Sequence, residues 1–75
     1  MSEAPLLSII VPTYNERENL PVLVDRIDKA LGGKYSYEII VVDDNSPDKT
    51  WEVALELARK GYPIVLVKRP GKLGL

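Results

Sequence analysis

The chain has 75 residues, a formal net charge of −1, and neither cysteine nor histidine. Charge so close to balance, with no block of one sign, argues against nucleic acid as a partner. The missing residue types exclude a disulfide framework, thiolate chemistry, histidine-ligated zinc and Ser-His-Asp catalysis, so acid–base work would fall to Asp and Glu.

Met1 to Pro5 reads as a loose lead-in, acidic rather than basic and so unlike a signal peptide. Leu6 to Val11 reads as a strand with Ser8 its only polar member, and Pro12 is expected to end it. Thr13 to Asn19 is a polar loop without glycine. Leu20, Leu23, Val24, Ile27, Ala30 and Leu31 then recur by threes and fours, the stripe of an amphipathic helix. Pro21 must lie in its first turn, where a missing N–H costs least. Either Asn15 with Glu18, or Asn19, suits the helix start, and Gly32 and Gly33 its end.

The next stretch, EIIVVDDNSPDKT, organises the chain. Ile39, Ile40, Val41 and Val42 form a short apolar run, which reads as a strand buried on both faces of a parallel sheet. It delivers Asp43 and Asp44 to the carboxyl edge, where open α/β sheets bind ligands. Ser46 suits an N-cap and Pro47 a first helical residue. A helix is expected from about Pro47 to Lys60, with Trp51, Ala54, Leu55 and Ala58 as its main stripe and Val53 and Leu57 widening it. Gly61 suits its C′ position. A third strand, Ile64 to Val67, precedes the basic segment KRPGKLGL. No apolar run approaches the ~20 residues of a membrane span.

The order is β-α-β-α-β, one half of a Rossmann-like, doubly wound, mainly parallel α/β sheet. Right-handed crossovers and strand order 3-2-1 put both helices on one face. The strands are apolar on both faces, so the sequence is expected to be the front portion of a larger domain, or to pair its bare face with another chain.

A dinucleotide site needs a glycine-rich first turn, and PTYNERENL has none. A receiver-like phosphoacceptor site wants an aspartate after the third strand, where this chain has Lys68 and Arg69. The first loop offers Pro12, Tyr14 and Glu16 instead. Tyr14 can flank a planar base, Glu16 can accept from ribose hydroxyls, and Asp44 can accept from a base N–H with the Val42 backbone nearby. Ionised acceptors make the stronger hydrogen bonds. Each residue also has an ordinary role open to it: Pro12 as strand terminator, Tyr14 as packing, Glu16 as partner to a helix dipole, and the two aspartates as solvated loop residues.

Taken together, SIIVPTYNERENLPVLV and YEIIVVDDNSPDKT resemble the start of an inverting family 2 glycosyltransferase of the GT-A fold. The PTYNE segment is shared widely in that family. DDNSPDKT, the Trp51 helix and the GKLGL tail narrow the resemblance to its dolichol-phosphate mannosyltransferase branch, which moves mannose from GDP-mannose to a polyprenyl phosphate in the membrane. The likeness runs from Leu7 to Leu75. It implies that Pro12, Tyr14, Glu16, Val42 and Asp44 line the guanosine part of the donor site. It also implies an Asp-x-Asp metal motif after a further helix, so the Mg²⁺ or Mn²⁺ ligands, the diphosphate site and the catalytic base are expected outside residues 1–75. The chain is then the nucleotide-sugar-binding front of an incomplete domain, working at the cytoplasmic face of a membrane. Two other readings stay open: a family 2 enzyme using a UDP-sugar, and a non-catalytic nucleotide-binding or interaction module.

Overall fold

A computed structural model describes residues 7–70; the N-terminal lead-in and the GKLGL tail lie outside the described residues. Three strands, β1 (Leu7–Thr13), β2 (Tyr37–Asp43) and β3 (Ile64–Lys68), alternate with two helices, α1 (Leu20–Leu31) and α2 (Thr50–Arg59). The sheet is parallel throughout in the order β1-β2-β3, as expected for half of a doubly wound fold.

Each strand runs a residue or two past its expected end. Pro12 does not terminate β1: it pairs in register with Val42, and Thr13 with Asp43. β1 lies at the sheet's edge, where a residue lacking an N–H leaves no neighbouring strand unsatisfied. The ladder continues beyond the strands, since Asp44 N donates to Thr13 O (3.3 Å) and Arg69 N to Asp43 O (2.7 Å).

The core lies between the helices and one sheet face. Leu20 and Val24 of α1, Val53, Ala54 and Leu57 of α2, and Ile39 and Val41 of β2 are buried, with Val11, Ile64 and Leu66 against them. α2 begins at Thr50 rather than Pro47, and its buried stripe is Thr50, Val53, Ala54 and Leu57. Leu55 and Ala58, expected to face inward, are exposed. The expected stripe was phased on Trp51, which is only half-buried. At the end of α1, a Cβ on Gly32 would stand 2.5 Å from the Asp28 carbonyl, so only glycine fits without a shift there.

Strand residues alternate between faces, and the second face has no helix over it among the described residues. Ile10 is 66% exposed, Val65 43% and Val67 43%. Monomers rarely leave a contiguous apolar surface of this kind open. The 75-residue chain on its own is therefore expected to self-associate, or to melt without cooperativity, when followed by sedimentation and circular dichroism. A monomer with a sharp two-state melt would contradict this.

Candidate functional site

The carboxyl edge of the sheet is built around Asp43. It is fully buried, and a buried carboxylate is tolerated only when its oxygens are satisfied. Thr13 Oγ1 donates to Asp43 Oδ1 (2.8 Å) and Ser46 Oγ to the same oxygen (2.6 Å), while Ser46 N donates to Oδ2 (3.0 Å). The end of β1 and the turn after β2 are thereby tied to one side chain. Ser46 is not the expected helix cap, because its hydroxyl is already committed to Asp43 and accepts from Asn15 N (3.0 Å).

The two loops that leave the sheet have matching turns. Asn15 (φ 55°) and Asn45 (φ 54°) are both left-handed, each two residues past the end of its strand. Asparagine enters that region at low cost. The loops are then laced together. Three consecutive main-chain amides of the first loop donate to side chains of the second: Asn15 N to Ser46 Oγ, Glu16 N to Thr50 Oγ1 (3.0 Å) and Arg17 N to Asp48 Oδ2 (3.1 Å). Arg17 Nη1 adds a bond to Asp48 O (3.0 Å). The cap position itself is Lys49, left-handed at φ 62°, and Asp48 just before it satisfies the helix start in place of Ser46, since its Oδ1 accepts from Thr50 N (3.0 Å) and from the Thr50 hydroxyl. At the start of α1, Asn19 Nδ2 donates to Glu16 Oε2 (3.0 Å), and the main-chain N–H groups of Asn19 and Leu20 both donate to Glu16 O.

The adjacent carboxylates diverge, as the strand pleat requires. Asp43 turns into the core, while Asp44 follows Val42 to the other face. There Arg69 Nε approaches Asp44 Oδ1 to 2.7 Å. That oxygen is buried without a hydrogen bond, so the contact is an ion pair whose N–H is not aligned with its acceptor. Pro12, Val42 and Asp44 share one face at one edge. Glu16 stands around the rim, lining a pocket of about 200 Å³ with Val11, Pro12, Thr13, Asn19, Leu20 and Leu23. Pro12 is common to both settings, and Tyr14, 43% exposed, lies in the loop between them. Lys68 is drawn away from the edge, its ammonium 3.9 Å from the centre of the Trp51 ring. Among the described residues no cluster of three or more His, Cys, Asp or Glu side chains could hold a metal ion.

Sequence reading missed Asp48, Thr50 and Arg69. Two signals pointed to them: an Asp-x-Thr spacing at a helix start, and the parallel register that sets the residue after Asp43 beside the residue after Lys68.

Residues 8–75 match the family described as Glycosyl transferase family 2. A dolichol-phosphate mannosyltransferase of Pyrococcus furiosus is 58% identical over 92% of this chain and 19% of its own length. A dolichyl-phosphate beta-glucosyltransferase of Mus musculus is 40% identical over 91% of this chain and 24% of its own. Among solved structures, a mannosyltransferase from Pyrobaculum calidifontis in complex with GDP-Man and Mn²⁺ superimposes with a TM-score of 0.69 and 28% identity, covering 99% of this chain and 22% of that one. The chain thus spans about a fifth to a quarter of the length of the proteins it matches.

The lacing has a pH signature. The hydrogen bond from the Thr50 hydroxyl, joined by the amides of Arg17 and Thr50, holds the Asp48 carboxyl below its ordinary 3.8, with desolvation opposing. A depressed folded-state pKa contributes stability above the unfolded value of ~3.9 and loses it as pH falls through the folded one. In a longer chain that contains it, the urea midpoint is expected to fall on acidification below about pH 4. That acid-side loss should be smaller in Asp48→Ala; equal losses in parent and variant would contradict the assignment.

Proposed function

Because the chain belongs to glycosyl transferase family 2, we propose that it supplies the nucleoside-binding part of the donor site in a glycosyltransferase that moves mannose from GDP-mannose to dolichyl (polyprenyl) phosphate. In this reading residues 1–75 are the front of a larger domain, whose remainder covers the open apolar face. The name of the P. furiosus relative supports the mannose and the dolichol-phosphate acceptor, and the GDP-Man bound in the P. calidifontis structure supports the donor. The observation that carries the reading is the placement of Asp44 on the face it shares with Pro12 and Val42, at the carboxyl edge.

Guanine presents a ring N–H and an exocyclic amino group side by side. A carboxylate has two oxygens at matching separation, so Asp44 can accept from both, with the Val42 main chain adding a contact. Tyr14 flanks the base, Pro12 forms the floor beside it, and Glu16 accepts from the ribose hydroxyls through an ionised oxygen. The diphosphate points away from the first loop, whose amides at residues 15–17 are occupied by Ser46, Thr50 and Asp48, and the Asp48 carboxylate repels a second anion.

Metal ions in such enzymes neutralise the departing diphosphate. The carboxylates of this chain do not fit that role, since Asp43 is saturated by hydrogen bonds in the core and Asp44 lies on the opposite face, so the two cannot converge on one ion. The Mg²⁺ or Mn²⁺ ligands, and the catalytic base, therefore belong to the rest of the domain. The lipid acceptor brings the enzyme to a membrane, on the cytoplasmic side in this reading; no helix among the described residues is long and apolar enough to cross one.

A UDP-sugar donor is the second reading, favoured by the glucosyltransferase name of the mouse relative. Uracil offers the carboxylate one N–H, so Asp44 would gain less from it. In the complete domain Asp44→Ala is expected to weaken GDP-mannose binding by about 10- to 150-fold, the worth of a charged hydrogen bond, and to change turnover far less. Unchanged donor affinity with reduced turnover would reject the assignment, and tighter binding of UDP-glucose than of GDP-mannose would select the second reading.

A further inference from the structure

Thr50 is fully buried, yet its hydroxyl is not spent on packing. It donates to Asp48 Oδ1 and accepts from the main-chain N–H of Glu16 across the loop interface. The cap of α2 needs only the bond from Thr50 N to Asp48, which stands without the hydroxyl. The reach to Glu16 is therefore extra to the helix start. At its other end the Glu16 peptide is held by Asn19 N and Leu20 N, and Asn19 Nδ2 holds Oε2. Glu16 Oε1 has no partner among the described residues.

We propose that Thr50 is a positioning residue for the donor nucleoside: seated by Asp48, its hydroxyl fixes the main chain at Glu16 and so holds the Glu16 carboxylate toward the ribose. The proposal rests on the reading of Glu16 as the ribose acceptor. A glutamate has three side-chain torsions to order, and ordering them on binding costs affinity. With its peptide clamped at both ends and one oxygen held, the second oxygen is presented before the ligand arrives, which is what a preorganised site requires. Valine at position 50 would keep the volume, but would leave the Glu16 N–H without an acceptor and Asp48 without its hydroxyl donor.

The test is calorimetry with GDP as probe, and turnover with GDP-mannose, on the complete domain carrying Thr50→Val, Thr50→Ser, Glu16→Ala or the Glu16→Ala/Thr50→Val pair. Thr50→Val is expected to weaken GDP about tenfold, the equivalent of one net hydrogen bond. Turnover at saturating donor should hold within about twofold, since the hydroxyl acts on ground-state and transition-state binding alike. Thr50→Ser should restore affinity, and the double variant should bind no worse than Glu16→Ala, because residues acting through one group are not additive. If Glu16→Ala weakens GDP while Thr50→Val does not, or if the two losses simply multiply, the positioning role is overturned. If Glu16→Ala leaves GDP binding unchanged, the ribose reading itself fails and takes the proposal with it. Should Thr50→Val not fold, Asp48→Ala at its part-exposed turn replaces it: non-additivity with Glu16→Ala supports the role and additivity overturns it.

Discussion

A carboxylate placed inside a protein must be answered by hydrogen bonds or it unfolds its surroundings. Asp43 is answered by Thr13 from β1 and by both the hydroxyl and the amide of Ser46 from the turn after β2. Much of the edge follows from that. The turn is pulled back over the strand end, which sends Asn45 into a left-handed conformation and carries Ser46 within reach of Asn15. The same pull delays α2 to Thr50 and leaves its capping to Asp48. Asp44, next along the pleat, is left facing the other way beside Arg69. Two adjacent aspartates thus have two unlike settings, one structural and one available to a ligand once Arg69 yields.

The lacing of the loops decides what kind of ligand the edge suits. Successive free main-chain amides in a loop attract phosphate. Here the amides of residues 15–17 are engaged by Ser46, Thr50 and Asp48. Two nearby cations are engaged too, Lys68 by the Trp51 ring and Arg69 by Asp44. The rim also holds a proline, an aromatic ring and carboxylate oxygens. That set accepts hydrogen bonds and flanks flat rings, which favours the nucleoside end of a donor over its charged end.

The architecture was legible because its signals are local. A β-branched run gives β2, three-and-four spacing gives α1, and the glycine-free first loop rules out a dinucleotide turn. The open apolar face was legible as well, since right-handed crossovers put both helices on one face of strands that are apolar on both. The start of α2 was not. Ser46 and Pro47 carry the right preferences for a helix start, but Asp43, three residues back, takes the Ser46 hydroxyl and amide, and Asp43 is buried there with a partner, Thr13, 30 residues away along the chain, which no local rule registers. The end of β1 was misjudged for a related reason: proline stops a strand only where a neighbour needs its N–H, and an edge strand has no such neighbour on one side. The lacing and the Asp44–Arg69 pair were hidden because both depend on register across the sheet.

The central claim is that residues 7–70 recognise a nucleoside and leave the metal diphosphate to other residues. Backbone amide resonances of the complete domain, followed while guanosine and then Mg²⁺-pyrophosphate are added separately, test it most directly. The account predicts that guanosine shifts the amides of residues 13–16 and 42–44, whereas Mg²⁺-pyrophosphate leaves the amides of 15–17 and of Asp43 in place. Shifts at those amides on adding Mg²⁺-pyrophosphate, with none from guanosine, would contradict it.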